Sequence, residues 1–226
     1  MGAPTTFTSP GDGFRLGGYR AAPEDARRGG VVLIHEIFGL TGHIRSLADD
    51  FAADGYETLA PSLFDRFEEG FAGGHDAAGV EKGRRFSLSA SWDQVALDLA
   101  GAIATLEPPV FVAGYCWGGS AAWLAACRCQ GVAAVASYYG RRIAELIDES
   151  PRRPVTLHFG RWDPAIPPEA VEAIARAHPD VPIYLYDAGH GFASDREADR
   201  QPDAARLARL RTLQLFAMNG GGRGDF

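Results

Sequence analysis

Residues 110–122 read Val110-Phe111-Val112-Ala113-Gly114-Tyr115-Cys116-Trp117-Gly118-Gly119-Ser120-Ala121-Ala122. A buried-strand pattern runs directly into G-x-C-x-G-G, and an Ala-rich helical stretch follows at once. Strand, sharp turn and helix in immediate succession make the elbow that presents a nucleophile. Such a turn forces its apex residue into a strained backbone conformation. Gly114 and Gly118 are then required, because a side chain at either would meet the neighbouring strand or helix. The thiol of Cys116 is placed at the positive end of a helix, where the dipole and free N–H groups favour thiolate over thiol.

The flanking sequence repeats this alternation. Gly30-Val31-Val32-Leu33-Ile34-His35 is a continuous apolar run of strand length. Thr41 is placed to cap a helix with Ile44, Leu47, Ala48 and Phe51 on one face, ended by Gly55. Residues 56–60 read as the next strand, and Trp92, Val95, Ala96, Leu99, Ala102, Ile103 and Leu106 mark a helix broken by Pro108-Pro109. Further units follow: a helix over 118–129, strands 132–138 and 155–159, a helix over 168–177, strand 182–187 and a closing helix near 203–217. Residues 5–8 and 13–20 read as an edge hairpin turning at Pro10-Gly11-Asp12-Gly13. Apolar runs alternating with amphipathic helices predict an α/β domain: a mostly parallel, twisted sheet with helices on both faces. Residues 61–85 are Gly-rich and read as an irregular pocket wall or lid. Residues 219–226 read as a frayed tail, and its Arg223-Gly224-Asp225 triplet as a chance occurrence.

The 226 residues suffice for one α/β domain spanning 1–226. A net charge of −7 argues against nucleic acid, which demands a basic face. No apolar run reaches membrane-spanning length, and the N-terminus lacks the pattern of a secretory signal. Three cysteines, Cys116, Cys127 and Cys129, form no disulfide framework and suit a reducing cytoplasm. Cys127 and Cys129 read as small helix residues, since C-x-C alone does not supply a closed metal site. The sequence implies no metal and no cofactor, and a monomer or small homo-oligomer.

A thiol nucleophile needs a proton acceptor. Of six histidines, His190 lies in Asp187-Ala188-Gly189-His190-Gly191-Phe192, between the last predicted strand and the last helix. Asp163, in Gly160-Arg161-Trp162-Asp163-Pro164, follows strand 155–159. Both loops fall at the carboxyl ends of parallel strands, on the side of the elbow. The chain order is Cys, Asp, His, with Asp163 expected to orient the imidazole and stabilise its protonated form.

At these residues the chain resembles the dienelactone hydrolase (carboxymethylenebutenolidase) family. The resemblance runs from about residue 10 to 217. It is carried by His35-Glu36-Ile37-Phe38-Gly39-Leu40, the Gly114–Gly119 elbow, Tyr138-Tyr139-Gly140, Asp163 with Ile166-Pro167, and Ala188-Gly189-His190-Gly191-Phe192. It implies an α/β-hydrolase fold and hydrolysis of a small ester or lactone by Cys116, His190 and Asp163. It also implies that Glu36 sits beside the resting thiol, keeps it protonated and gives way when substrate binds. The oxyanion hole is then expected from the backbone N–H groups of Ile37 and Trp117. Phe38, Trp117, Tyr138 and Tyr139 are candidates to line the pocket.

The chain departs from the family at the arginines that hold a substrate carboxylate. Arg84 and Arg85 fall in the right region but off the matching position, and the place four residues past the catalytic His holds Ser194, with Arg196 two residues later. Arg161 is a further candidate. The basic residues are 21 Arg and one Lys, so any single loop Arg carries little information. Two other classes fit part of the pattern. One is a flavodoxin-like Cys-elbow enzyme of the DJ-1/amidotransferase type, which often has His after the Cys where this chain has Trp117. The other is a non-catalytic thiol redox sensor or binding protein.

Overall fold

The computed structural model describes residues 1–24 and 26–222. It contains one eight-stranded sheet in the order β1-β2-β4-β3-β5-β6-β7-β8. The strands are β1 Ala3–Thr8, β2 Arg15–Ala21, β3 Gly29–Ile34, β4 Tyr56–Pro61, β5 Val110–Tyr115, β6 Val132–Tyr138, β7 Val155–Gly160 and β8 Ile183–Tyr186. The β1–β2 and β2–β4 pairs are antiparallel and every later pair is parallel. The continuous apolar runs are explained by position: β3 and β5 lie mid-sheet and all their residues are buried.

Among the described residues, six α-helices surround the sheet: α1 Gly42–Ala53, α2 Ala77–Ser89, α3 Trp92–Ala104, α4 Trp117–Arg128, α5 Pro168–Ala177 and α6 Pro202–Phe216. The two-residue period of β5 assigns the faces. Phe111 stacks on Phe216 of α6 at 4.5 Å, and Phe216 in turn meets Phe51 of α1. Gly114, on the opposite face, lies against the backbone of Gly118 in α4. Helices α1 and α6 thus share one layer, and α4 covers the other.

Two expectations are corrected. Residues 61–85 are not irregular throughout: a 3₁₀ turn spans Leu63–Arg66, and α2 begins at Ala77, capped by the Asp76 carboxylate accepting from Gly79 N at 2.8 Å. Gly79 and Gly83 masked this helix, since glycine is a poor helix former. Gly83 is present for a tertiary reason, because a Cβ there would collide with the Ile37 carbonyl. The chain end is also ordered further than expected. Past α6 the chain turns out of helical geometry at Asn219 and Gly220, and the Gly221 carbonyl accepts from Tyr56 Oη and Arg28 Nε, each at 3.0 Å. The Arg223-Gly224-Asp225 triplet lies outside the described residues. No helix among the described residues is long and apolar enough to cross a membrane.

Candidate active site

The elbow forms as its glycine spacing requires. Cys116 has φ 54° and ψ −116°, and it ends β5 where α4 begins. A Cβ on Gly118 would lie 2.5 Å from the carbonyl oxygens of both Ile34 and His35, so α4 meets the end of β3 only through a bare backbone. Cys116 N donates to Tyr138 O at 3.0 Å, fixing the turn against β6.

The structure brings the three residues of the expected triad together. His190 Nε2 lies 3.2 Å from Cys116 Sγ, and His190 Nδ1 lies 2.7 Å from Asp163 Oδ2. Asp163 is buried, and its second oxygen accepts from Ala165 N at 2.7 Å, so its turn and its orientation are set by one carboxylate. Burial by itself would lower the pKa of His190. Hydrogen bonds to Asp163 and to the sulfur outweigh it and carry the imidazole up to about 10. Both hydrogen bonds favour the protonated ring.

Glu36 follows β3 and is buried. Desolvation pushes its carboxyl up to about 7, against the opposing pull of His190. Its backbone is pinned by His35, a residue not assigned a role from sequence. His35 Nδ1 bonds the Glu36 carbonyl at 2.6 Å, and its Nε2 accepts from Leu63 N at 3.2 Å, which requires a neutral ring. Burial lowers that ring to about 4, so it stays neutral at neutral pH. A histidine ending a strand gives no sequence signal of this kind.

Trp117 follows Cys116 and begins α4, and Ile37 lies in the loop after β3, the strand paired with β5. Among the described residues neither backbone N–H has a backbone acceptor. The Trp117 indole itself is packed away against Phe64 at 4.6 Å and His35 at 5.5 Å. Phe38 packs edge-on against His75 at 4.4 Å.

Of the adjacent tyrosines, Tyr139 is the one against the triad, its ring 5.1 Å from that of His190. Tyr138 points to the α6 layer, stacking on Tyr115 at 4.4 Å and hydrogen-bonding Thr212 Oγ1 at 2.6 Å. β6 ends at Tyr138 and Tyr139 turns left-handed at φ 38°, which sends the two rings to different places. Tyr138 walls a cavity of about 900 Å³ with Tyr115, His43, His75 and Asp195; neither Cys116 nor His190 lines it.

Of the four candidate arginines, two are exposed and two are ion-paired. Arg84 and Arg85 are exposed on α2. Arg161 pairs with Asp187 at 3.0 Å and Arg196 with Asp199 at 3.3 Å. Cys127 and Cys129 are free, buried thiols, both raised by burial. Among the described residues, no group of three His, Cys, Asp or Glu side chains is placed to hold a metal ion.

This sheet order and elbow define an α/β-hydrolase-fold enzyme, a fold shared with a Pyrococcus furiosus esterase at a TM-score of 0.66 and 14% identity. A profile of the Dienelactone hydrolase family matches residues 16–219, and the chain belongs to that family, whose members hydrolyse ester and lactone bonds. A "Putative carboxymethylenebutenolidase" of Synechocystis sp. is 32% identical over 94% of this chain and 95% of its own length. The carboxymethylenebutenolidase of Pseudomonas sp. strain P51 is 28% identical over 90% of each chain. The crystal structure of a "Putative Dienelactone Hydrolase" from Klebsiella pneumoniae superposes with a TM-score of 0.82 at 26% identity, covering 96% of this chain and 99% of that one.

Proposed function

We propose that this enzyme opens a small ester or lactone through a thioacyl intermediate on Cys116. The observation that carries this reading is the 3.2 Å contact of His190 Nε2 with the sulfur at the elbow. The thiolate attacks the substrate carbonyl, forming a C–S bond as the carbonyl π electrons move to oxygen. The backbone N–H groups of Ile37 and Trp117 receive that oxyanion. Collapse expels the alkoxide or enolate, which takes its proton from the His190 imidazolium. Water then attacks the thioester as His190 accepts its proton, and the thiolate departs unchanged. Asp163 holds the imidazole tautomer and orientation throughout.

Thiolate is a better leaving group than an amide nitrogen, so its adduct with a peptide tends to revert unless that nitrogen is protonated. An ester or lactone with a stable leaving oxygen suits it. Glu36, buried beside this pair, acts as the gate: in the resting enzyme it holds the proton economy of the thiol, and substrate displaces it. Three free thiols fit a reducing cytoplasm. A monomer or small homo-oligomer serves this chemistry, since one chain supplies every residue named.

A short pulse of an activated aryl ester, followed by intact-mass and peptide mass spectrometry, tests the reading. The expected result is a single acyl adduct on Cys116 that decays with turnover and is lost in Cys116→Ala. Absence of acylation together with reversible peroxide oxidation of Cys116 would instead make the protein a thiol sensor.

A further inference from the structure

His35 follows β3 directly, is fully buried and has no part in the mechanism above. Its Nε2 accepts from Leu63 N at 3.2 Å, so that nitrogen carries no proton and the ring hydrogen sits on Nδ1. Nδ1 then donates to the Glu36 carbonyl at 2.6 Å. Gly39 N adds a longer bond to the same oxygen, at 3.3 Å. That carbonyl and the Ile37 N–H belong to one peptide unit. In a planar trans peptide the two point in opposite directions. Holding the carbonyl on the His35 side therefore aims the Ile37 N–H away from it, and among the described residues that N–H has no backbone acceptor. The same histidine bears on the second donor. Its ring stacks on the Trp117 indole at 5.5 Å, tilted by 23°, and Phe64 meets it edge-on at 4.8 Å. Its own carbonyl is one of the two that a Cβ on Gly118 would strike, so the first turn of α4 rests on the His35 backbone.

We propose that His35 is a positioning residue for the oxyanion hole: its Nδ1–H turns the Glu36–Ile37 peptide so that the Ile37 N–H faces the substrate oxygen together with the Trp117 N–H. One rigid ring thereby sets the spacing of two donors that come from segments far apart in sequence. Ile37 lies beyond the last ladder residue of β3, so no sheet hydrogen bond orients this peptide. Donors fixed in advance cost no reorganisation as charge develops on the carbonyl oxygen. Were the peptide to turn over, it would offer the oxyanion a carbonyl in place of an N–H.

This role rests on the hydrolase reading and on Ile37 N–H as a donor, and the test separates the two failures. His35→Asn keeps an amide N–H at the place of Nδ1. His35→Leu has the same shape and no donor, and both variants lose the stacked ring. The quantities compared with wild type are kcat and KM for an aryl ester, the affinity for an aldehyde inhibitor, and the rate of Cys116 alkylation by iodoacetamide. The aldehyde's adduct with the thiol puts an oxygen in the hole; alkylation forms no oxyanion. His35→Leu is expected to lower kcat and aldehyde affinity by about 10–100-fold, less than outright loss of a donor, with KM and alkylation within about threefold of wild type. His35→Asn recovers most of that loss. Where His35→Leu does not fold, His35→Phe takes its place, keeping a ring against Trp117 without the donor. Equal losses in His35→Asn and His35→Leu, a change confined to KM, or alkylation that falls with kcat overturns the proposal. Normal acylation of Cys116 with an unaffected His35→Leu ends this inference alone. A wild type that is neither acylated by the ester nor bound by the aldehyde ends the hydrolase reading with it.

Discussion

The carboxylate of Asp163 holds His190 at 2.7 Å through one oxygen and its own turn at Ala165 through the other. The loop after β7 and the loop after β8 are thus tied at the imidazole. Replacing Asp163 by Asn retains the size and an acceptor at one oxygen but removes the charge opposite His190. The ring is then free to present the wrong tautomer to Cys116, and the imidazolium loses its partner. Asp163→Asn is expected to lower kcat/KM for an aryl ester by about 10²–10⁴-fold. Steady-state kinetics check this. A loss of less than threefold would remove Asp163 from the mechanism.

The elbow makes a prediction about stability. At Gly118 an added methyl would lie 2.5 Å from two backbone carbonyl oxygens at the end of β3, and backbone cannot swing aside as a side chain can. Gly118→Ala is expected to cost about 3 kcal/mol, as for overpacking of a tight interior. It should also displace the Glu36–Ile37 segment that β3 leads into. Gly42→Ala is the control, since nothing lies within 4 Å of a Cβ there. Urea unfolding of the two variants separates them, and equal midpoints would show that α4 does not need the bare contact.

These glycines also show why the elbow was legible and α2 was not. Gly114 and Gly118 sit between a strand and a helix whose patterns are unambiguous, so their spacing carried the site with it. Gly79 and Gly83 sit inside a helix and work against its local propensity, because the reason for Gly83 is the Ile37 carbonyl, far off in sequence. Cys116, Asp163 and His190 were readable because parallel strands deliver their following loops to one edge of the sheet. The choice between Tyr138 and Tyr139 was not, since it depends on where a strand ends and the backbone turns left-handed. Arginine partners were equally hidden: Arg161 and Arg196 are paired with Asp187 and Asp199, contacts that no one-dimensional pattern encodes.

Arg66 supplies a further test of how the antiparallel edge is fastened. Its guanidinium contacts both oxygens of Asp98 at 2.7 Å and reaches Asp12 at 2.8 Å, joining the β1–β2 turn to α3. The Asp98 side chain is only 2% exposed, so removing its partner strands a charge in the interior. Arg66→Met is expected to destabilise by about 3 kcal/mol. Arg66→Met with Asp98→Leu should regain most of that loss, because no buried charge then remains. Chemical denaturation of the single and double variants decides. A double variant no more stable than the single one would place the stabilisation in packing of the Arg66 stem.

Glu36 predicts a dependence of stability on pH. Its folded-state pKa of about 7 lies above the ordinary 4.5, so between those values the folded protein binds more proton than the unfolded chain. Stability from this group is fully present below pH 4.5 and is lost as pH rises through 7. Glu36→Gln removes the titration while keeping the shape. The variant should therefore gain on the wild type as pH rises from 4 to 8, by on the order of 3 kcal/mol for a shift of this size. His190 moves in the same sense over a higher range, toward about 10, so the difference between the two proteins is the informative quantity. Equilibrium unfolding at half-unit pH steps gives that difference directly. A gap that stays flat from pH 4 to 8 would mean the carboxylate is not desolvated, and the gate proposed at Cys116 would lose its physical basis.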